Sequence, residues 1–213
     1  MPAVRAVVFD FGGVLCFHPE DREVQRVAEA CGLPFNTLVK AFWSNRPDYD
    51  TGRVSPEEYW RNIALSAARE FPAGLIPSLV RLEVDLWNRY DQRVLDWVEA
   101  LRASGYRTGI LSNLPRPLGE ALRATPGLLD VFDHVSFSYE LGFMKPQPEI
   151  YLDTVEGLDV APGEALFLDD RPENVAGART VGLQAEIFTS FESCASVIPA
   201  RYALPAPAVA RRQ

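Results

Sequence analysis

Long apolar runs, clustered basic residues and paired cysteines are all missing from this chain of 213 residues. No run of about 18 apolar residues occurs and the N-terminus lacks a signal-peptide cleavage pattern, so we expect no membrane partner and a cytoplasmic location. No Lys/Arg cluster precedes Arg211-Arg212 and the formal net charge is −8, which argues against nucleic acid as a partner. An odd number of scattered cysteines suits reduced thiols better than disulfides: Cys16, Cys31 and Cys194.

Short runs of β-branched and apolar residues predict the fold. With 47% apolar residues, the chain is long enough for one well-cored domain and a smaller one. The predicted strands cover residues 4–9, 107–111, 134–138, 165–168 and 183–187. Because helical patterns lie between most of them, the sequence predicts an α/β fold with a doubly wound parallel sheet.

Residues 17–90 have a different character, with helix signals and almost no strand signal. Ser55 is an N-cap candidate, Pro56 suits the first helical position and Glu58 completes a capping box. This stretch is therefore predicted to be a small helical cap inserted after the first strand. The expected organisation is a core of residues 1–16 and 91–200, a cap of residues 17–90 and a flexible tail of residues 201–213.

Polar residues follow four of the predicted strands. In chain order they are Asp10, Ser112-Asn113, Lys145 and Asp169-Asp170. Because parallel strands end at one edge of a sheet, we expect these side chains to converge there. Each of them alone also fits an ordinary turn, cap or surface position. The adjacent acids are harder to explain structurally, because two carboxylates repel each other unless a cation or donor offsets the charge.

The residue types in this set suit phosphoryl transfer. Asp10 and Asp170 offer the hard oxygen ligands that Mg²⁺ prefers. Ser112, the backbone of Asn113 and Lys145 suit phosphoryl oxygens and the charge that accumulates on them. A carboxylate is also able to attack phosphorus and form an aspartyl-phosphate. The pattern therefore predicts a magnesium-dependent site with Asp10 as the nucleophile.

Four ordered motifs carry a family resemblance. They read Val-Val-Phe-Asp10-Phe-Gly-Gly-Val-Leu, Ile-Leu-Ser112-Asn113, Gly-Phe-Met-Lys145-Pro and Leu-Phe-Leu-Asp169-Asp170-Arg-Pro-Glu-Asn174. From about residue 4 to 190 the chain resembles the haloacid dehalogenase-like hydrolase superfamily, in its phosphatase branch with a helical cap after the first strand. The resemblance implies metal ligation by Asp10, the Gly12 carbonyl and Asp170, with Asp169 and Asn174 supporting them. It implies phosphate binding by Ser112, the Asn113 amide, Lys145 and the backbone N–H groups of Phe11 and Gly12.

One position departs from the family's commonest first motif. Gly12 stands where a second Asp usually protonates the leaving group and later activates water, and losing such a group typically costs about a hundred- to ten-thousand-fold in rate. Some branches, including sugar-phosphate phosphatases similar to glucose-1-phosphate phosphatase, also have glycine here. His18 is the candidate replacement, although an ordinary structural role is open for it. Glu20 and Asp21 lie nearby, but acidic residues also suit the first turn of a helix.

The function expected from these residues is a Mg²⁺-dependent phosphatase that acts on a small phosphorylated metabolite, a sugar phosphate or a nucleotide. Two alternatives are a 2-haloacid dehalogenase, in which Asp10 would attack carbon without a metal, and a phosphate-binding regulatory module with little turnover. A response-regulator receiver domain fits less well, because its paired acids come early in the chain. The sequence indicates neither the physiological substrate nor the oligomeric state.

Overall fold

Five short strands form one parallel sheet in the computed structural model, which describes residues 2–72 and 74–207. The strands are β1 (Ala6–Phe9), β2 (Arg107–Ser112), β3 (His134–Phe137), β4 (Ala165–Asp169) and β5 (Gln184–Ile187). They lie in the order β3-β2-β1-β4-β5, and every neighbouring pair is parallel. All residues of the central strand β1 are buried, as expected for a sheet that is covered on both faces. The predicted α/β fold with a doubly wound parallel sheet is confirmed.

Helices make up most of the remaining chain. They are α1 (Asp21–Cys31), α2 (Phe35–Ser44), α3 (Arg46–Asp50), α4 (Pro56–Ser66), α5 (Ile76–Asp85), α6 (Gln92–Ala103), α7 (Arg116–Ala124), α8 (Ser138–Leu141), α9 (Pro148–Gly157), α10 (Pro172–Thr180) and α11 (Phe191–Tyr202). The first six of these helices lie between β1 and β2, and the first five of them fall within residues 17–90. Within the described residues, no helix is both long and apolar enough to cross a membrane.

The start of α4 shows how local sequence sets an element in the inserted region. Ser55 Oγ accepts a hydrogen bond from the Glu58 backbone N–H at 3.2 Å, and the Glu58 carboxylate accepts one from the Ser55 N–H at 2.8 Å. Pro56 occupies the first helical position, where its missing N–H costs nothing. The predicted capping box is therefore present, and it fixes where the helix begins.

The chain enters and leaves the helical insertion at neighbouring points. The Phe17 N–H donates to the Arg89 carbonyl, and the Asp91 N–H donates to the Leu15 carbonyl, each at 2.9 Å. These two bonds hold the connections side by side, next to the boundaries that the sequence predicts. A further contact joins the insertion to the core, because Ser138 Oγ donates to the backbone carbonyl of Asp50.

The C-terminal segment is packed where the sequence predicts a loose end. Helix α11 continues to Tyr202, and the side chain of Leu204 is buried. Trp97 Nε1 donates to the Pro205 carbonyl at 3.0 Å, and the Tyr106 hydroxyl donates to the Ala203 carbonyl at 3.1 Å. These contacts tie residues 201–207 to the core, whereas the flexibility expected for the tail stays a prediction. Residues 208–213 of the predicted tail lie outside the described residues.

Candidate active site

The strand ends converge as the sequence predicts. Asp10 directly follows β1, Ser112 ends β2 and Asp169 ends β4. Carboxylate oxygens of Asp10, Asp169 and Asp170 all lie within 4.8 Å of one another. They adjoin a cleft of about 600 Å³ whose walls come from both the core and the helical insertion. The topology of the sheet therefore brings together acids that are distant in sequence.

Lys145 lies between two of these acids and is only 2% exposed. Its Nζ is 2.8 Å from Asp10 Oδ1 and 2.7 Å from Asp169 Oδ2, and it also donates to the Leu111 carbonyl at 2.9 Å. Burial alone would lower the pKa of Lys145, but the two carboxylates outweigh it and raise that pKa. The side chain is therefore a fixed cation in the floor of the cleft.

Asp169 has its oxygens fully engaged with neighbouring donors. Oδ1 accepts hydrogen bonds from the Arg171 N–H at 2.8 Å and from Asn174 Nδ2 at 3.0 Å. Oδ2 accepts from Lys145 Nζ at 2.7 Å and from Asn174 Nδ2 at 3.0 Å. This arrangement orients Lys145 and suits the supporting role that the sequence predicts for Asp169 and Asn174.

Asp10 and Asp170 each keep one carboxylate oxygen without a hydrogen-bond partner within the described chain. Oδ1 of Asp10 accepts from the Phe11 N–H at 2.6 Å and lies beside Lys145, whereas Oδ2 has no donor. Oδ1 of Asp170 is buried and also lacks a donor. Burial raises the pKa of Asp10, although Lys145 favours its charged form. A buried acceptor such as Asp170 Oδ1 calls for a partner that the described chain does not supply.

A divalent cation fits this donor set. Mg²⁺ binds through one or two carboxylates, keeps several waters and bridges to substrate phosphate. The partnerless oxygens of Asp10 and Asp170 meet that description. Gly12 lines the same cleft, and its backbone carbonyl accepts no backbone hydrogen bond from any residue that the structure describes. The predicted ligands are thus together, and their ligation of a metal stays a prediction.

One predicted phosphate-binding group has another contact in this structure, because the Phe11 N–H donates to Asp10 Oδ1 at 2.6 Å. The Asn113 side chain forms a reciprocal pair with the Lys145 backbone, with Oδ1 accepting at 2.8 Å and Nδ2 donating at 2.9 Å. This bracing role of the Asn113 amide side chain was not predicted. Ser112 lines the cleft as expected.

His18 reaches the cleft and contacts Asp170. Its Nε2 lies 2.8 Å from Asp170 Oδ2, and this hydrogen bond raises the pKa of the imidazole. The predicted proximity to the site is therefore present, but the contact is with a candidate metal ligand. Glu20 and Asp21 form the N-cap and first residue of α1, in agreement with their structural interpretation.

Besides Pro47, four residues of the insertion line the cleft without having been predicted. They are Trp43, Arg46, Asp50 and Trp87. Arg46 and Asp50 form a buried ion pair at 2.7 Å. None of the four belongs to a motif, and only the folding of the insertion over the core brings them to the site. The spacing of these residues in the sequence therefore does not predict that they line the cleft.

Comparisons with known proteins define the class. A family model of haloacid dehalogenase-like hydrolases matches residues 4–182. A D-ribitol-5-phosphate phosphatase of Bacteroides thetaiotaomicron is 27% identical over 190 residues, covering 85% of this chain and 90% of the relative. A phosphatase of Mycobacterium tuberculosis is 30% identical over 188 residues, covering 86% of each chain.

Solved structures show the same fold. A haloacid dehalogenase family enzyme from Bacteroides thetaiotaomicron, in complex with magnesium and inorganic phosphate, superposes with a TM-score of 0.72 at 20% identity, covering 87% of this chain and 94% of that one. An L-2-haloacid dehalogenase from Xanthobacter autotrophicus superposes with a TM-score of 0.64 at 24% identity, covering 93% and 83%.

The chain belongs to the haloacid dehalogenase-like hydrolase family. The predicted resemblance to its phosphatase branch is confirmed, because the sequence relatives named above are phosphatases. It is therefore an enzyme of the phosphomonoesterase type.

Proposed function

We propose that this chain is a Mg²⁺-dependent phosphatase that hydrolyses a small phosphorylated metabolite, a sugar phosphate or a nucleotide, through an aspartyl-phosphate. The observation that carries the proposal is the pair of partnerless carboxylate oxygens on Asp10 and Asp170, held beside the buried cation of Lys145. A relative named for a polyol phosphate and a neighbour containing magnesium and phosphate support it.

The proposed chemistry begins at Asp10. One carboxylate oxygen of Asp10 attacks phosphorus, a new P–O bond forms, and the ester oxygen leaves with the P–O bonding electrons. Lys145 offsets the charge of nucleophile and phosphate, while Ser112 and the Asn113 N–H are the proposed donors to the phosphoryl oxygens. Mg²⁺, held by Asp10, the Gly12 carbonyl and Asp170, would supply positive charge at the phosphate. Water then cleaves the aspartyl-phosphate and restores the Asp10 carboxylate.

His18 is the proposed source of the proton for the leaving group. The alternative that the structure suggests is that His18 only orients Asp170, which its Nε2 contacts. His18→Ala separates the two roles. An acid/base role predicts a fall in kcat of about a hundred-fold or more with Mg²⁺ affinity retained. An orienting role predicts weaker Mg²⁺ binding, by about ten- to a hundred-fold.

One set of assays tests the proposed function. Purified protein is incubated with a generic aryl phosphate and with a panel of sugar phosphates and nucleotides, with Mg²⁺ and with chelator, beside Asp10→Asn. We expect phosphate release that needs Mg²⁺ and disappears in the variant. Tight binding of phosphate analogues without turnover would instead identify a regulatory module. Halide release from 2-haloacids in the presence of chelator would identify a dehalogenase, whose fold this chain shares.

The cellular location and the partners of the enzyme stay predictions. All three cysteines are unpaired and buried, which agrees with the reduced thiols expected from the sequence. Burial raises the pKa of the Cys16 thiol to about 12, so this cysteine is not a reactive thiolate at neutral pH. We retain the expectation of a cytoplasmic enzyme with a small phosphorylated substrate and with neither nucleic acid nor membrane as a partner.

A further inference from the structure

The indole of Trp87 occupies the space into which a side chain at position 12 would project. A Cβ built on Gly12 would lie 3.0 Å from Trp87 Cζ3 and 3.5 Å from its Cη2. Contacts that short require one neighbour to move, and a rigid ring wedged in a packed wall moves less readily than a flexible side chain. Gly12 is therefore glycine in this chain because Trp87 takes the room of its side chain.

Trp87 also separates the cleft from a second, apolar space in the insertion. This apolar slot is defined by Val24, Val27, Leu38 and Leu86, and Trp87 lines both it and the cleft. Its free volume is only about 30 Å³, roughly the share of one water molecule in the liquid. The indole, which is 8% exposed, thus lies between this apolar slot and the cleft that contains Asp10.

The surroundings of the indole indicate that its size matters more than its polarity. Trp87 Nε1 is buried and finds no hydrogen-bond acceptor in the described part of the chain. An unpaired buried donor is destabilising. A phenylalanine at position 87 would have no N–H to leave unpaired, but its smaller ring would leave a gap between the cleft and the apolar slot. The large apolar area of the indole, which packs in the hydrophobic core, therefore shapes the wall of the cleft.

The cleft beyond the indole carries charged and hydrogen-bonding groups among its apolar lining residues. The His18 ring packs edge-on against Trp87 with centroids 6.1 Å apart and presents its Nε2 to Asp170. Further into the insertion, the buried Arg46–Asp50 pair lines the same cleft. A leaving group attached to phosphate at Asp10 consequently meets charged and hydrogen-bonding groups, with the adjoining apolar space shut.

We propose that Trp87 is the specificity-determining residue of this cleft and that Gly12 is its required partner. Resting on the proposed phosphatase function, the inference is that the enzyme accepts phosphate monoesters with a compact leaving group. Esters with a long hydrocarbon next to the ester oxygen are rejected, because the indole blocks the apolar slot that would hold the chain. Removing the indole would open that slot and would leave room for a side chain at position 12.

The test compares two primary alkyl phosphates, glycerol phosphate and octyl phosphate, whose ester chemistry is matched. We expect Trp87→Ala to raise the ratio of kcat/KM for octyl phosphate over glycerol phosphate at least ten-fold relative to wild type, and Trp87→Phe to raise it less. A ratio in Trp87→Ala that stays within two-fold of wild type would overturn the proposal. A thermal unfolding curve for each variant checks that the variant is folded before the kcat/KM ratios are compared.

A second arm tests the coupling of the two positions. Gly12→Ala is introduced into wild type, into Trp87→Ala and into Trp43→Ala. Trp43 lines both spaces but makes no close approach to Gly12, so it is the matched control. We expect the loss in kcat/KM caused by Gly12→Ala to be at least five-fold smaller in the Trp87→Ala background only. Equal losses in all three backgrounds would refute the pairing.

A binding arm separates this inference from the proposed function. Octylphosphonate and methylphosphonate keep the phosphoryl group but have no ester bond to cleave, and calorimetry measures their affinities with Mg²⁺ present. A gain in octylphosphonate preference in Trp87→Ala would support the specificity role even if no ester were hydrolysed, in which case only the phosphatase proposal would fail. An unchanged preference beside normal ester turnover would reject the specificity role alone.

Discussion

The insertion buries the guanidinium of Arg46 between the carboxyl groups of Asp50 and Glu83. Because two acids face one cation, the stability of the fold should depend on pH. Arg46 Nη1 donates to Glu83 at 3.0 Å, and its Nη2 lies 2.7 Å from Asp50. The Tyr49 hydroxyl donates to the other Glu83 oxygen at 3.2 Å, and Tyr59 packs against Tyr49. With Glu83 only 1% exposed, one guanidinium does not offset both acids. Glu83→Gln keeps the shape and one acceptor oxygen, replaces the other oxygen by an NH2 donor, and removes one of the two negative charges.

The expected magnitude follows from the pKa of Glu83. Burial raises this pKa from 4.5 to about 7, although Arg46 opposes the rise. Between these pH values the folded protein retains a proton that the unfolded chain has lost, so stability from this group is present below pH 4.5 and is lost as pH rises through 7. The resulting loss in the free energy of unfolding between pH 4.5 and 7 is at most about 3 kcal/mol. For a chain of this size that is about 6 to 12 °C in Tm.

Thermal or urea unfolding of wild type and Glu83→Gln from pH 4.5 to 8 measures the effect. We expect wild type to lose stability relative to the variant as pH rises across this window, and the difference to level off above pH 7. Glu29→Gln, which removes an exposed carboxylate on α1, is the matched control and should follow wild type. A constant difference between wild type and Glu83→Gln, or one of opposite slope, would refute the charge imbalance.

Two further substitutions test contacts that hold the site. Lys145→Met should destabilise the fold by about 3 to 5 kcal/mol in urea unfolding, because it leaves buried carboxylates without their cation, whereas Lys40→Met at an exposed position should have little effect. Gly52→Ala should cost more than Gly32→Ala in Tm. Both glycines have positive φ, which costs about 1 to 2 kcal/mol for alanine, but only at Gly52 would the new Cβ meet a backbone carbonyl, that of Tyr139 at 2.8 Å. Equal losses within either pair would contradict these explanations.

The sheet was predictable because its determinants are local. Short apolar runs fix the strands, and parallel strands with helical connections leave few possible topologies. The Ser55 capping box likewise predicts where α4 begins, since all its bonds join residues three apart. The C-terminal segment shows the limit of such reasoning. Residues 201–207 lack periodicity, yet their carbonyls are held by Trp97 and Tyr106, far away in the sequence.

The same distinction applies to the site. Residues at strand ends, such as Asp10 and Lys145, were predictable because the topology alone brings them together. The contacts of Trp87 with Gly12 and of the Arg46–Asp50 pair with the cleft depend on how the insertion packs over the core. The Asn113 side chain was missed for another reason. A strand-end asparagine predicts a polar loop, whereas its two bonds to the Lys145 backbone depend on the path of a loop 32 residues away.

The charges in the floor of the cleft explain why a divalent cation is part of the proposed reaction. Asp10, Asp169 and Asp170 lie within 4.8 Å of one another, and Lys145 is the cation that contacts two of them. Three carboxylates and one ammonium repel a phosphate dianion. A divalent ion at the free oxygens of Asp10 and Asp170 balances them, and it also favours the charged form of Asp10 against the effect of burial. Lys145 is held by Asp169 and by the Leu111 carbonyl, which are groups of the protein itself, so removing Mg²⁺ should abolish substrate binding while leaving this framework assembled.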